Sequence, residues 1–150
     1  MALLSEEEQH FFRRIFETEM VDEVKVIYFT QKPSPIIKPE EKCQFCEDIQ
    51  AMWEEITGLS DKLSLEVYYL DQDNDKFFEH WVDKIPASIL LGKGQSRLRY
   101  FGVFSMREFP IVIEAIIALS KGEAALLDET KEELKSVENY TDVHVYVTPP

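Results

Sequence analysis

Apolar positions change their period along the chain, and each change marks an element. Ser5 and Glu8 stand in capping-box register, and Phe11, Phe12, Ile15, Phe16 and Met20 then recur at helical spacing, which predicts an amphipathic helix up to about Val21. The run Val24–Thr30 is β-branched and aromatic and predicts a central strand. Pro33, Pro35 and Pro39 exclude a regular helix or an interior strand from Gln31 to Lys42, because proline has no amide donor and a fixed φ. This stretch is therefore a long loop that delivers the chain to Cys43. Phe45, Ile49, Met52, Trp53 and Ile56 resume the helical period, which predicts a helix beginning at the cysteines and stopping at Gly58.

Leu65–Asp71 reads as a second strand, and a strand-helix-strand order implies that it runs parallel to the first. A Gln-Asp-Asn turn then leads to a short helix carrying Phe77, Phe78 and Trp81, aromatics expected in the core. Ala87–Leu91 and Arg97–Gly102 flank Gly92-Lys93-Gly94-Gln95, the pattern of an antiparallel hairpin. Ser105 and Glu108 repeat the capping-box spacing before a helix whose Phe109, Val112, Ile113, Ile116, Ile117 and Leu119 would cover the sheet, closed by Lys121-Gly122. A polar helix from Asp128 to about Glu138 and a β-like run Val143–Thr148 complete the chain.

With 150 residues, 45% of them hydrophobic, the chain is sized for one compact core. The net charge of −13 repels phosphate backbones and anionic membrane surfaces, so neither nucleic acid nor a membrane is an expected partner. Met1 to Glu8 lacks a basic stretch and turns acidic after two leucines, unlike a signal peptide, and no apolar run reaches the roughly 18 residues that span a bilayer. A cytoplasmic location is the resulting expectation.

The only two cysteines, Cys43 and Cys46, are three positions apart, a spacing that suits a reversible disulfide or a metal. In a helical first turn the Cα separation falls in the bridging range, and the helix N-terminus favours a thiolate at Cys43. Cys43 is then the attacking sulfur, and Cys46, one turn further in, resolves the mixed disulfide. Lys42 favours the thiolate while Glu40, Glu41, Glu47 and Asp48 oppose it. The strand Val24–Thr30 offers no carboxylate as a proton acceptor for Cys46, leaving Glu66 and Asp71 as distant candidates. Zinc wants four ligands, and His10, His80 and His144 lie without metal-binding spacing. Asp71, Asp73 and Asp75 begin like a calcium loop, but Lys76 replaces the required Gly and Val82 the bidentate Glu. Asn139-Tyr140-Thr141 matches a glycosylation acceptor, which needs secretion.

The order of strand, Cys-Gln-Phe-Cys helix, strand, helix, Ile85-Pro86 before a strand, hairpin and helix resembles the thioredoxin fold. The opening helix, Asp61-Lys62-Leu63-Ser64, Ile85-Pro86-Ala87, Arg99-Tyr100-Phe101-Gly102 and Leu127-Asp128-Glu129-Thr130-Lys131 together resemble the N-terminal unit of the glutaredoxin-like protein disulfide oxidoreductases of thermophiles, whose chains join two such units. The Gln31–Lys42 loop is longer than the family's connection.

That resemblance implies an α/β fold with a mixed four-stranded sheet flanked by helices, an extra N-terminal helix and a C-terminal helix-strand extension. Residues 1–122 would form the thioredoxin-like domain and residues 123–150 an extension similar to the start of a second unit. It implies a protein-disulfide oxidoreductase that needs no organic cofactor. Its catalytic pair would be Cys43 and Cys46, with Phe45, Ile85 and a cis Pro86 at the substrate groove and protein thiols, disulfides and a reductase as partners. The alternative is a weakly active or redox-inert module that holds a peptide in the same groove. Val143–Thr148 is expected to add to a sheet edge, in its own chain or in a second copy, the latter giving a homodimer; the alternative is a tail frayed into solvent, helped by Pro149 and Pro150.

Overall fold

The computed structural model describes residues 3–34, 38, 42–94, 96–104 and 108–147. The opening helix, α1 (Glu6–Glu19), starts as its sequence demands: Ser5 accepts from the Glu8 amide while the Glu8 carboxylate accepts from the Ser5 amide. These bonds hold the Glu8 carboxyl below its usual pKa. Then follow β1 (Val24–Thr30), α2 (Cys46–Thr57), β2 (Leu63–Tyr69), α3 (Asn74–Glu79), β3 (Ala87–Leu91), β4 (Arg97–Phe101), α4 (Phe109–Lys121) and α5 (Asp128–Leu134).

The four strands form a single sheet in the order β2-β1-β3-β4. The β1–β2 pair is parallel, from Val24 opposite Leu63 to Thr30 opposite Tyr69, whereas β1–β3 and β3–β4 are antiparallel. The sheet is therefore mixed, as expected. Alternation along β1 divides the core. Val24, Val26 and Tyr28 face the larger cluster, with Phe16 of α1, Ile49, Trp53 and Ile56 of α2, and Val112, Ile113 and Ile116 of α4. Ile27 and Phe29 face the smaller one, with Phe77, Val82, Ala87 and Ile89. Two covered faces explain why β1 is an almost unbroken apolar run.

Several boundaries move. β2 begins and ends two residues before the expected Leu65–Asp71, a shift of one strand period that leaves its facing unchanged. β4 stops one residue before the expected Gly102. Ser105 lies outside the described residues, but Glu108 occupies the N-cap position of α4 and not the third helical position that a capping box requires. α4 ends as predicted, with Gly122 left-handed at φ 67°.

Trp81 is 78% and Phe78 81% exposed, against the core placement expected of them. α3 ends at Glu79, so helical periodicity does not reach Trp81, whose φ of 55° takes the chain out of the helix. α5 is shorter than the polar helix its sequence suggested and buries no residue. Val143–Val147 carries strand composition but forms no strand and is exposed; Thr148 lies outside the described residues. Its alternation has no buried face to point toward, so the pattern alone does not produce pairing. Among the described residues no helix is long and apolar enough to cross a membrane.

Candidate active site around the Cys43–Cys46 disulfide

The site lies at one end of the sheet. β1 ends at Thr30, and the antiparallel register that sets Phe29 opposite Ala87 brings the start of β3 to that end. The chain leaving β1 returns to supply Cys43, and the chain entering β3 passes through Ile85-Pro86, whose peptide bond is cis as the resemblance implied. Cys43 and Cys46 form a disulfide with a Cα separation of 5.6 Å.

The two sulfurs sit in unlike surroundings. Cys46 is the first residue of α2 and only 1% exposed, while Cys43 is partly exposed. Phe45 occupies the N-cap position between them and is 44% exposed. The helix therefore begins at the second cysteine, a correction to the expectation that both lie in its first turn. Its first regular bond runs from the Ile49 amide to the Phe45 carbonyl, so Cys43 precedes the repeating structure.

Two side chains that sequence reasoning did not single out fix this segment. The Gln31 side-chain oxygen accepts from the Cys43 amide at 2.9 Å, and the Tyr28 hydroxyl donates to the Cys46 carbonyl at 2.8 Å. Tyr28 is fully buried on the face of β1 beneath α2, and burial pushes its phenol up to about 12. The available signal was a tyrosine at an inward-facing strand position, since a buried phenol needs a hydrogen-bond partner. Gln31 carried no comparable mark.

A second buried polar bond ties α2 to the strand beside β1: Trp53 of α2 donates its indole N–H to the Ser88 hydroxyl of β3 at 2.8 Å. Pro86 is buried, and Ile85 packs against the smaller core cluster, so Phe45 is the most open of the three expected groove residues. Half of the proline-containing stretch from Gln31 to Lys42, Pro35 to Ile37 and Pro39 to Glu41, lies outside the described residues. Glu66 is committed elsewhere. Its carboxylate pairs with Lys25 and accepts from Tyr68, and these partners, Lys25 foremost, hold it below the usual carboxylate range. Among the described residues no three His, Cys, Asp or Glu side chains are grouped to hold a metal ion.

Comparison with solved structures gives the fold its family setting. The chain superposes with a TM-score of 0.73 and 32% identity on a protein disulfide oxidoreductase from Aeropyrum pernix K1, over 91% of this chain and 56% of that one. The fold is thioredoxin-like. The expected resemblance to protein disulfide oxidoreductases is thus found, and the chain spans little more than half the length of that relative. The alkylhydroperoxide reductase AhpF from Enterococcus faecalis, in a C503A mutant form, shares the fold at TM-score 0.72 and 16% identity, over 90% of this chain and 61% of that one. A domain of the same reductase gives TM-score 0.69 at 16% identity, over 87% of this chain and 59% of that one. No family model and no curated protein matches the sequence.

Proposed function

We propose that the chain is a thiol-disulfide oxidoreductase acting on protein thiols and disulfides through Cys43 and Cys46. The observation that carries this reading is the disulfide itself, joining a partly exposed Cys43 to a Cys46 buried at the start of α2. Similarity to a protein disulfide oxidoreductase over 91% of the chain supports it.

In the reducing direction the Cys43 thiolate attacks a substrate disulfide, forming a mixed disulfide and releasing one substrate thiolate. Cys46 then loses its proton and attacks the Cys43 sulfur, closing the Cys43–Cys46 bond and releasing the second substrate thiolate. Two electrons pass to the substrate, and its two sulfurs take up the protons given by the dithiol. Dithiol reductants of the thioredoxin-reductase class, or a protein dithiol, reopen the pair; run backwards, the same steps oxidise a substrate. Phe45 gives the groove an exposed apolar rim, with Ile85 and Pro86 at the adjoining start of β3.

Insulin reduction by dithiothreitol, followed by turbidity, tests the proposal. Catalytic amounts of the chain are expected to accelerate it, Cys43→Ser to abolish the effect, and Cys46→Ser to accumulate a mixed disulfide on Cys43. Iodoacetamide should label Cys43 of the reduced chain first. No acceleration, together with a disulfide that glutathione buffers leave unchanged at every ratio, would overturn the proposal in favour of an inert peptide-binding module.

A further inference from the structure

The Cys43–Cys46 segment is held at both ends by side chains from one place in the sheet. Tyr28, on β1, reaches the carbonyl of its last residue, and Gln31, just past the end of β1, reaches the amide of its first. We propose that Tyr28 and Gln31 form a clamp that keeps the two cysteines at bridging distance when their disulfide is open. This role rests on the oxidoreductase reading and adds positioning residues to it; neither side chain meets the reacting sulfurs.

The need for such a clamp follows from where α2 starts. Cys46 is tied into the helix, but Cys43 lies before the first regular helical bond, 12 residues past Gln31. Reduction removes the covalent tie between them. A freed Cys43 would spread over the conformations open to a loop residue, and closing the disulfide again would then cost more chain entropy. The Gln31–Cys43 bond involves no sulfur, and in the dithiol it forms only in conformations that hold Cys43 near its bridging place, so bond and disulfide favour each other. Because the partner is a backbone N–H, the amide oxygen of Gln31 must be the atom facing it. At the other end Tyr28 anchors Cys46 against the sheet, and its phenol stays protonated through the physiological range, so the donor persists at every relevant pH. The phenol is for the same reason no base for the Cys46 proton.

The clamp therefore favours the closed disulfide over the dithiol. Loss of either bond is expected to lower the equilibrium constant for oxidation by glutathione by roughly 2- to 10-fold, the range of one net hydrogen bond. The measurement equilibrates the purified chain in glutathione redox buffers, quenches with acid, alkylates, and counts labelled thiols by mass. Tyr28→Phe removes only the hydroxyl, and Gln31→Met keeps the side-chain length without an acceptor. Both should need a more oxidising buffer than the parent chain, and the double variant should exceed either alone. A merely structural role would lower the melting temperatures of oxidised and reduced forms alike and leave the glutathione equilibrium in place. Should Tyr28→Phe fold poorly, Gln31→Met, outside β1 and only partly buried, carries the test. A parent chain that exchanges with glutathione while a folded variant stays within 1.5-fold of it overturns the clamp alone. A parent chain with no glutathione-dependent transition overturns the oxidoreductase reading and the clamp with it.

Discussion

Replacing Ser88 with alanine deletes one hydroxyl and leaves the Trp53 indole N–H without the acceptor now 2.8 Å away. Neither side chain can turn to water, because Trp53 is 1% and Ser88 2% exposed, and the ring of Phe104 packs edge-on against the indole at 5.1 Å. The loss is then that of an orphaned buried donor, about 1–3 kcal/mol, and not the smaller net value of an exchangeable bond. For a chain of this length each kcal/mol moves the melting temperature by roughly 2–4 °C, so a fall of about 2–12 °C is expected. Trp53→Phe removes the same bond and leaves unfilled space, for roughly 2–3 kcal/mol. In the double variant no indole N–H is orphaned, so its loss should be smaller than the sum of the two by about 1 kcal/mol. Thermal and urea unfolding of the four chains, followed by circular dichroism, completes the cycle. Losses that add to within about 0.5 kcal/mol would refute the coupling, and with it the claim that this bond ties α2 to β3 beside the disulfide.

Gly92→Ala should be severe, since a Cβ there would lie 2.3 Å from the Leu119 carbonyl oxygen and 2.6 Å from its carbon. Backbone cannot step aside as a side-chain end can, so α4 must part from the end of β3, where Lys93 donates to that carbonyl at 2.9 Å; we expect a loss of about 3 kcal/mol, and a melt within 1 °C of the parent would contradict it. The Tyr28 phenol titrates near 12 when folded against about 10 in an unfolded chain, so its contribution is fully present below about pH 10 and lost as the pH climbs toward 12. Tyr28→Phe should therefore lose its disadvantage against the parent between about pH 9 and 11.5, by up to roughly 2 kcal/mol from urea midpoints, and an unchanging difference would show that the phenol is not buried as described.

The parts of the fold that were legible are those where one local rule decides. β1 matches its expected bounds because both of its faces are buried, which leaves an apolar run broken only by Lys25 before Thr30 ends the strand. α1 starts where Ser5 and Glu8 place it, as all the partners of that cap lie within four residues. Trp81 and, within this chain, Val143–Val147 depart from expectation for the opposite reason. Their side-chain types are those of a core or a strand, yet burial and pairing depend on how neighbours distant in sequence pack: Val143–Val147 lies across an open cleft from β4, and Trp81 lines a second cleft with Arg99, Phe101 and Tyr146, and both stay exposed.

The candidate site divides along the same line. Cys43 and Cys46 were marked by their spacing, and Pro86 by the resemblance to a thioredoxin-like unit. The ties around them could not, because each crosses a gap that no periodicity spans: 12 residues from Gln31 to Cys43, 18 from Tyr28 to Cys46 and 35 from Trp53 to Ser88. Each of these bonds starts or ends on β1, on β3 or just past the end of β1, and each fixes a different point of the chain from Cys43 to Trp53. A cysteine pair alone specifies which bond forms; this set of distant partners determines where in space that bond is held, and hence how far the opened pair drifts before it closes again.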